Sequence, residues 1–261
     1  MLYPRIIPCL LVSGKGLVKT VKFASPKYVG DPLNAVRIFN EKEVDELMVL
    51  DIDATREGRA PDYALIASLA DECRMPLCYG GGVSTAEQIR EIIQLGVEKV
   101  AVSSAAMEDP GLITEASARV GSQSVVAVLD VRRHGSGEGE VWTRNGTRAT
   151  GEAPAAAAAR MERLGAGEIV VNSIDRDGTM LGYDLDLVDD VRRAVGVPLT
   201  VLGGAASLGD VRGLISRCGT IGAAAGSLFV FKGRYKAVLI NYPGRSEKSA
   251  LFADAMGGGA A

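Results

Sequence analysis

Aspartates gather at the ends of short apolar runs in this chain. Asp51 and Asp53 close the run around Leu47–Ile52, Asp130 ends Val125-Val126-Ala127-Val128-Leu129, and Asp175 and Asp177 follow Ile169–Asn172. A carboxylate at the end of a buried strand is placed to act as a general acid or base. Asp130 is the leading candidate, because desolvation by its apolar neighbours raises a carboxyl pKa toward neutrality. Asp175 reads better as a helix cap or a brace for Arg176. A second signal is paired glycine followed by serine. Gly80-Gly81-Gly82-Val83-Ser84 is echoed by Gly203-Gly204-Ala205-Ala206-Ser207, and Ser103-Ser104 has its counterpart in Gly226-Ser227. Backbone N–H groups at helix starts attract phosphate, and glycine permits close approach. Two such cradles imply a ligand with two phosphates or comparable anionic groups. The same glycines could instead only shorten turns, but their recurrence with serine favours phosphate.

These residues need elements to hold them. Apolar runs with little alternation, as in parallel strands covered on both faces, fall at Ile6–Leu11, Leu47–Ile52, Pro76–Tyr79, Lys99–Val102, Val125–Asp130, Ile169–Asn172, Leu199–Leu202 and Ile221–Ala225. Helical segments lie between them. Asp31 opens one with Pro32 in its first turn, Ser84 with Glu87 forms a capping-box pattern, and Asp109-Pro110 opens another. Ala155–Leu164 is helix-prone and followed by Gly165, and Asp184–Ala194 and Leu208–Arg217 complete the series. Eight strand–helix units in 261 residues suit a (β/α)8 TIM barrel, with a doubly wound open sheet as the competitor. An internal repeat favours the barrel. Gly81 and Gly204, Ser84 and Ser207, Gly96 and Gly219, and Ser104 and Ser227 are each 123 positions apart, which implies two similar half-barrels. One barrel is expected over residues 1–250 and a flexible tail over 251–261. The segments Ser13–Gly30 and Arg132–Gly151 are expected to be long loops on the active-site face, the second with β-like pieces around Trp142.

Composition narrows the function. The chain is 47% hydrophobic and 23% charged, with a net charge of −3, which argues against generic nucleic-acid binding. No apolar run is long enough for a transmembrane helix, and no secretory leader is visible. Cys9, Cys73, Cys78 and Cys218 lack metal or CxxC spacing and read as reduced thiols of a cytoplasmic protein. The single histidine, His134, lies in a Gly/Ser-rich loop and excludes a multi-histidine metal site. No metal and no cofactor is implied.

The motifs IIPCL with its following lysine loop, VLDI, GGGV, VLDV, RLGAGEI, SIDRDGT and GYD occur in one order over roughly residues 1–235. Together they resemble the HisF family, the cyclase subunit of imidazole glycerol phosphate synthase. The resemblance implies a two-fold-symmetric barrel. A HisH-type glutaminase would dock at the N-terminal face, its ammonia would pass through the barrel, and a substrate bearing two phosphates would react at the top. It assigns Arg5, Glu46, Lys99 and Glu168 to a gate for ammonia, all four of the family's residue types. It matches Lys19 to a substrate-loop lysine, and with the two cradles the candidate substrate or phosphate-binding residues are Lys19, Gly81, Gly82, Ser103, Ser104, Asn172, Asp177, Gly178, Gly203, Gly204, Gly226 and Ser227. Of two catalytic aspartates, Asp130 matches one and Leu11 replaces the other. Asp53 stands where the family usually has threonine, Ser103 where it has asparagine, Asn172 where it has threonine and Lys22 where it has asparagine. Asp53, one strand away, is the expected substitute carboxylate. These departures, and the unusual segment from Gly226 to Pro243, resemble a divergent branch linked to converting acetamido to acetamidino groups on surface-glycan sugars. The substrate would then be phosphorylated or nucleotide-activated.

Overall fold

The computed structural model describes residues 3–133 and 139–257. Eight parallel strands close into a barrel: β1 (Arg5–Ser13), β2 (Leu47–Asp51), β3 (Leu77–Gly80), β4 (Lys99–Val102), β5 (Val125–Arg133), β6 (Glu168–Ser173), β7 (Leu199–Leu202) and β8 (Gly222–Ala225). Each pairs with its sequence neighbour, and β8 returns to β1 through Arg5↔Gly222 and Ile7↔Ala224. The TIM-barrel expectation is met, and the open sheet fails because there is no free edge in this ring.

Closure explains the near-continuous apolar strands, since both faces of each are covered. Outward residues such as Ile6, Leu10, Val49 and Ile169 pack with the helices in one large core. Inward residues make a separate cluster that includes Ile7, Cys9, Met48, Val128, Val170 and Leu202, edged by Leu11 and Leu50. Side chains alternate along a strand, so Arg5, Ile7, Cys9 and Leu11 form one inward column. Six residues at ~3.3 Å each separate the ends of that column by about 20 Å.

The helices start close to their sequence signals. Asp31 caps Pro32–Glu41 by accepting from Asn34 N, and Asp184 caps Leu185–Ala194 by accepting from Leu187 N. The Ser84/Glu87 box is displaced by one residue: Thr85 is the cap and Gln88 its partner. Its counterpart in the second half is Ser207 with Asp210.

Both expected loops are antiparallel hairpins that extend barrel strands. Gly16–Val21 and Ala24–Gly30 extend β1, and Gly139–Thr143 with Arg148–Ala149 extends β5. The first turns through Lys22 and Phe23, both with left-handed backbone. Asp177 holds this turn: its carbonyl accepts from Lys22 N at 2.9 Å and its carboxylate from Phe23 N at 3.3 Å.

The tail expected to be flexible from residue 251 is instead helical as far as Gly257, as part of the helix Arg245–Gly257. Leu251 and Ala255 are buried in the outer core, and the helix packs on Leu208–Cys218. Glycine and alanine richness hid two apolar residues at helical spacing. His134 lies outside the described residues.

Candidate active site

The mouth is a cavity of about 1150 Å³, counting space open to solvent, at the C-terminal ends of the strands. Asp130 ends the inward column of β5 and is buried. Asn172 Nδ2 donates to its Oδ1 at 2.9 Å, and Ser103 Oγ donates to its Oδ2 at 3.1 Å. Burial pushes the Asp130 carboxyl up to about 6, against the opposing pull of these two donors. That value suits a group that exchanges protons near neutrality.

Lys19 reaches into the same cavity from the first hairpin and donates to Cys9 O at 2.5 Å. Burial lowers its pKa. Gly226 leaves room for it, because a Cβ there would lie 2.3 Å from Lys19 Nζ. Asp177 accepts from Thr20 Oγ at 2.8 Å, and burial raises its carboxyl.

The two glycine pairs face this cavity from opposite halves, with Gly81 and Gly82 beside Ser103 and Ser104, and Gly203 and Gly204 beside Gly226 and Ser227. All four paired glycines have positive φ. A Cβ on Gly81 would stand 2.2 Å from Asp51 O, and one on Gly204 would stand 2.2 Å from Gly182 O. Backbone packing therefore requires these glycines whether or not phosphate binds. Asn172 and Gly178 complete the wall.

Two sequence expectations change. Asp53 does not line the cavity. It stands one turn beyond β2, where its carboxylate accepts from Ser13 Oγ at 2.6 Å and pairs with Arg56 at 2.8 Å. Asp51 does line the cavity, but its Oδ1 is occupied by the N–H groups of Asp53 and Ala54 at 3.0 Å each. Asp175 has a structural partner, but not as a helix cap or a brace for Arg176: it accepts from Arg133 N at 2.8 Å. Leu11 ends the inward column of β1 and lines the cavity with Asp130. Sequence reading missed Thr20 and Phe23, which reach the cavity only because Ser13–Gly30 is a hairpin.

The floor is a closed ring of charge. Arg5 bonds Glu46, and its Nη2 lies 2.7 Å from Glu168 Oε1. Lys99 Nζ lies 2.9 Å from Glu46 and 2.8 Å from Glu168. Thr200 Oγ donates to Glu168 at 2.6 Å. Burial opposes ionisation of Glu168, yet Arg5 and Lys99 outweigh it and hold the carboxyl below its usual range. Burial likewise opposes the charge on Lys99, and the two glutamates outweigh it. Among the described residues no cluster of side chains is arranged to hold a metal ion. No helix among them is long and apolar enough to cross a membrane.

The fold and this polar-mouthed, ion-sealed interior define a (β/α)8 barrel with its functional groups at the strand C-termini. The family described as histidine biosynthesis protein matches residues 5–236. A Leptospira interrogans protein named "Putative imidazole glycerol phosphate synthase subunit HisF" is 56% identical over 97% of this chain and 100% of its own length. A Pseudomonas aeruginosa protein of similar name, ending "subunit hisF2", is 52% identical over 93% of this chain and 97% of its own. "Imidazole glycerol phosphate synthase subunit HisF" of Alkaliphilus metalliredigens is 40% identical over 88% and 91%. The chain belongs to the histidine biosynthesis protein family, among its HisF-like members.

Proposed function

We propose that this protein is the ammonia-using synthase subunit of a glutamine amidotransferase, working on a substrate other than that of the histidine-pathway cyclase. A HisH-type glutaminase would dock at the N-terminal face, where the Arg5/Glu46/Lys99/Glu168 ring closes the barrel floor. Ammonia released there would pass up the interior, which is lined by small and apolar groups such as Cys9, Cys78, Ala101 and Ala224. It would meet the substrate beside Asp130. The favoured substrate is an activated sugar whose acetamido group becomes acetamidino, anchored through phosphate at one or both glycine cradles. The new C–N bond forms at the amide carbon, the C–O bond breaks, and the oxygen departs as water in the net reaction.

One observation carries this reading. Leu11 lies near the end of β1 at the mouth, where the family's first catalytic aspartate is expected, and Asp53 is tied to Ser13 and Arg56 away from the cavity. A two-carboxylate cyclisation thus lacks one of its groups, while the floor ring is complete. A positioned acid or base contributes about 10²- to 10⁴-fold. The relatives named hisF2 and hisF3, from Pseudomonas aeruginosa and Vibrio vulnificus, carry numbers beyond a first copy, which agrees with a paralogue.

A genuine histidine-pathway cyclase is the second reading, favoured by the two cradles and by 40% identity to the Alkaliphilus HisF. Assaying the barrel with the histidine-pathway substrate and ammonium salt separates the two. Turnover within tenfold of an ordinary cyclase overturns the first reading. Amidination of an acetamido sugar, driven by glutamine only when the glutaminase is added, supports it.

A further inference from the structure

Asn172 leaves one bond unmade. The residue is 5% exposed, and its Nδ2 is spent on Asp130. Its Oδ1 accepts nothing, although it is buried at the cavity wall. A buried acceptor without a partner costs about 1–3 kcal/mol, so such an atom calls for an explanation. Rotating the amide does not relieve it, because Oδ1 would then oppose the ionised Asp130 carboxylate.

The backbone of Gly203 packs close to this oxygen. A Cβ on Gly203 would come within 3.1 Å of Asn172 Oδ1, so any other residue there would crowd it. Asn172 lines the cavity together with Asp130, Ser103 and Leu11. Asp130, when ionised, and Asn172 Oδ1 are both acceptors, and Leu11 offers no competing donor. The missing partner therefore carries at least one N–H or O–H, and a group with two N–H bonds, on one nitrogen or on two nitrogens of one carbon, can serve both acceptors at once.

We infer that Asn172 Oδ1 is the acceptor for an N–H of the reacting nitrogen, so that Asn172 and Asp130 together form a subsite for ammonia and for the amidine it becomes. This rests on the ammonia-using reading above. One N–H held by Asn172 and another aimed at Asp130 leave the nitrogen lone pair free for the amide carbon. As the C–N bond forms, the carbonyl π pair moves to oxygen, and the nitrogen gains positive charge and loses a proton to Asp130. The oxygen takes up two protons that come from the nitrogen, one of them returned by Asp130, the C–O bond breaks and water leaves. The resulting amidine keeps an N–H on Asn172. In the ammonia-bound state Asn172 touches the reacting nitrogen and is a catalytic residue.

The test uses acetamidine, a small amidinium without the rest of a substrate, at pH 8. The protein is the full chain labelled with ¹⁵N. Titration followed through the Asn172 side-chain NH₂ resonance should give a saturable shift, whereas acetate, which lacks N–H donors, should give none. Asn172→Leu should weaken acetamidine binding at least tenfold, and Asn172→Thr, a smaller change kept in case the leucine variant fails to fold, should weaken it severalfold. No saturable binding to the wild type, equal binding to the variants, or an equal response to acetate would each overturn the inference. The binding result is read without turnover, so failure of the proposed reaction in the sugar assay is told apart from failure of this subsite.

Discussion

Asp130 sits where burial works against stability and for chemistry. Its folded pKa is raised to about 6 from an ordinary 3.8, so the folded state holds the proton more tightly. Between those two values stability falls as pH rises, and the loss persists above pH 6. Asp130→Asn should therefore stabilise the protein at pH 8, by up to about 3 kcal/mol from the size of that shift, read as an upward change in Tm. The same variant should lose 10²- to 10⁴-fold in turnover. In the wild type kcat/KM should fall as pH drops below about 6 and the base becomes protonated. Asp53 gives the contrast. Its partners are Ser13 and Arg56, so Asp53→Asn should leave kcat within about threefold of wild type, and a loss approaching that of Asp130→Asn would return Asp53 to the mechanism. Leu11→Asp would place a second carboxylate at the mouth. Gain of histidine-pathway cyclisation would identify that one group as the main difference; its absence would implicate Ser103 and Asn172 as well.

At the scale of elements, the floor is built from the first residues of β1, β4 and β6 and the residue before β2. Parallel register brings these strand starts to one level, so charges far apart in sequence meet as a ring. Lys99→Ala would leave Glu46 and Glu168 sharing one cation, and breaking a buried pair costs about 3–5 kcal/mol. Because the Glu168 pKa is depressed, its contribution is present above the unfolded value near 4.5 and is lost as pH falls through the folded one. Acid unfolding of Lys99→Ala should show a shallower pH dependence in that range. The C-terminal helix, with Tyr242 just before it, braces the same end. Tyr242 Oη donates to Ile6 O at 2.8 Å and accepts from Asp45 N at 3.2 Å, and Lys248 pairs with Asp45 at 2.6 Å. Ile6 and Asp45 each neighbour a member of the ring. Tyr242→Phe should cost about 1–2 kcal/mol in denaturant unfolding, with the m-value unchanged.

At the scale of the whole molecule, the two halves present glycine and serine to one cavity from opposite sides. If both cradles take phosphate, a bisphosphate of matching span should raise Tm more than inorganic phosphate at equal concentration. Ligand at a hundred times its Kd adds about 2.7 kcal/mol. Gly226→Ala would push against Lys19 and should remove most of the difference between the two ligands. Equal protection by both ligands in the wild type would reduce the cradles to one working site.

Much of this was legible in the chain. Apolar runs covered on both faces announced parallel strands, the 123-residue repeat announced two halves, and Asp130 stood out by its apolar setting. These signals are local or periodic, and the chain writes them directly. Only the closed tertiary structure decided which side chains share the cavity. Asp51 faces it and Asp53 does not, because a turn at the end of β2 rotates the chain between them. Thr20 and Phe23 reach it because a segment that reads as a loop folds back as a hairpin. The helix to Gly257 forms because Leu251 and Ala255 find the groove of a helix some forty residues earlier. Asn172 stands out by its position in sequence, but its unpaired oxygen follows from its burial beside Gly203 while Asp130 takes its amide N–H. Such facts depend on contacts between distant residues, where one rotation of a side chain or turn outweighs local preference.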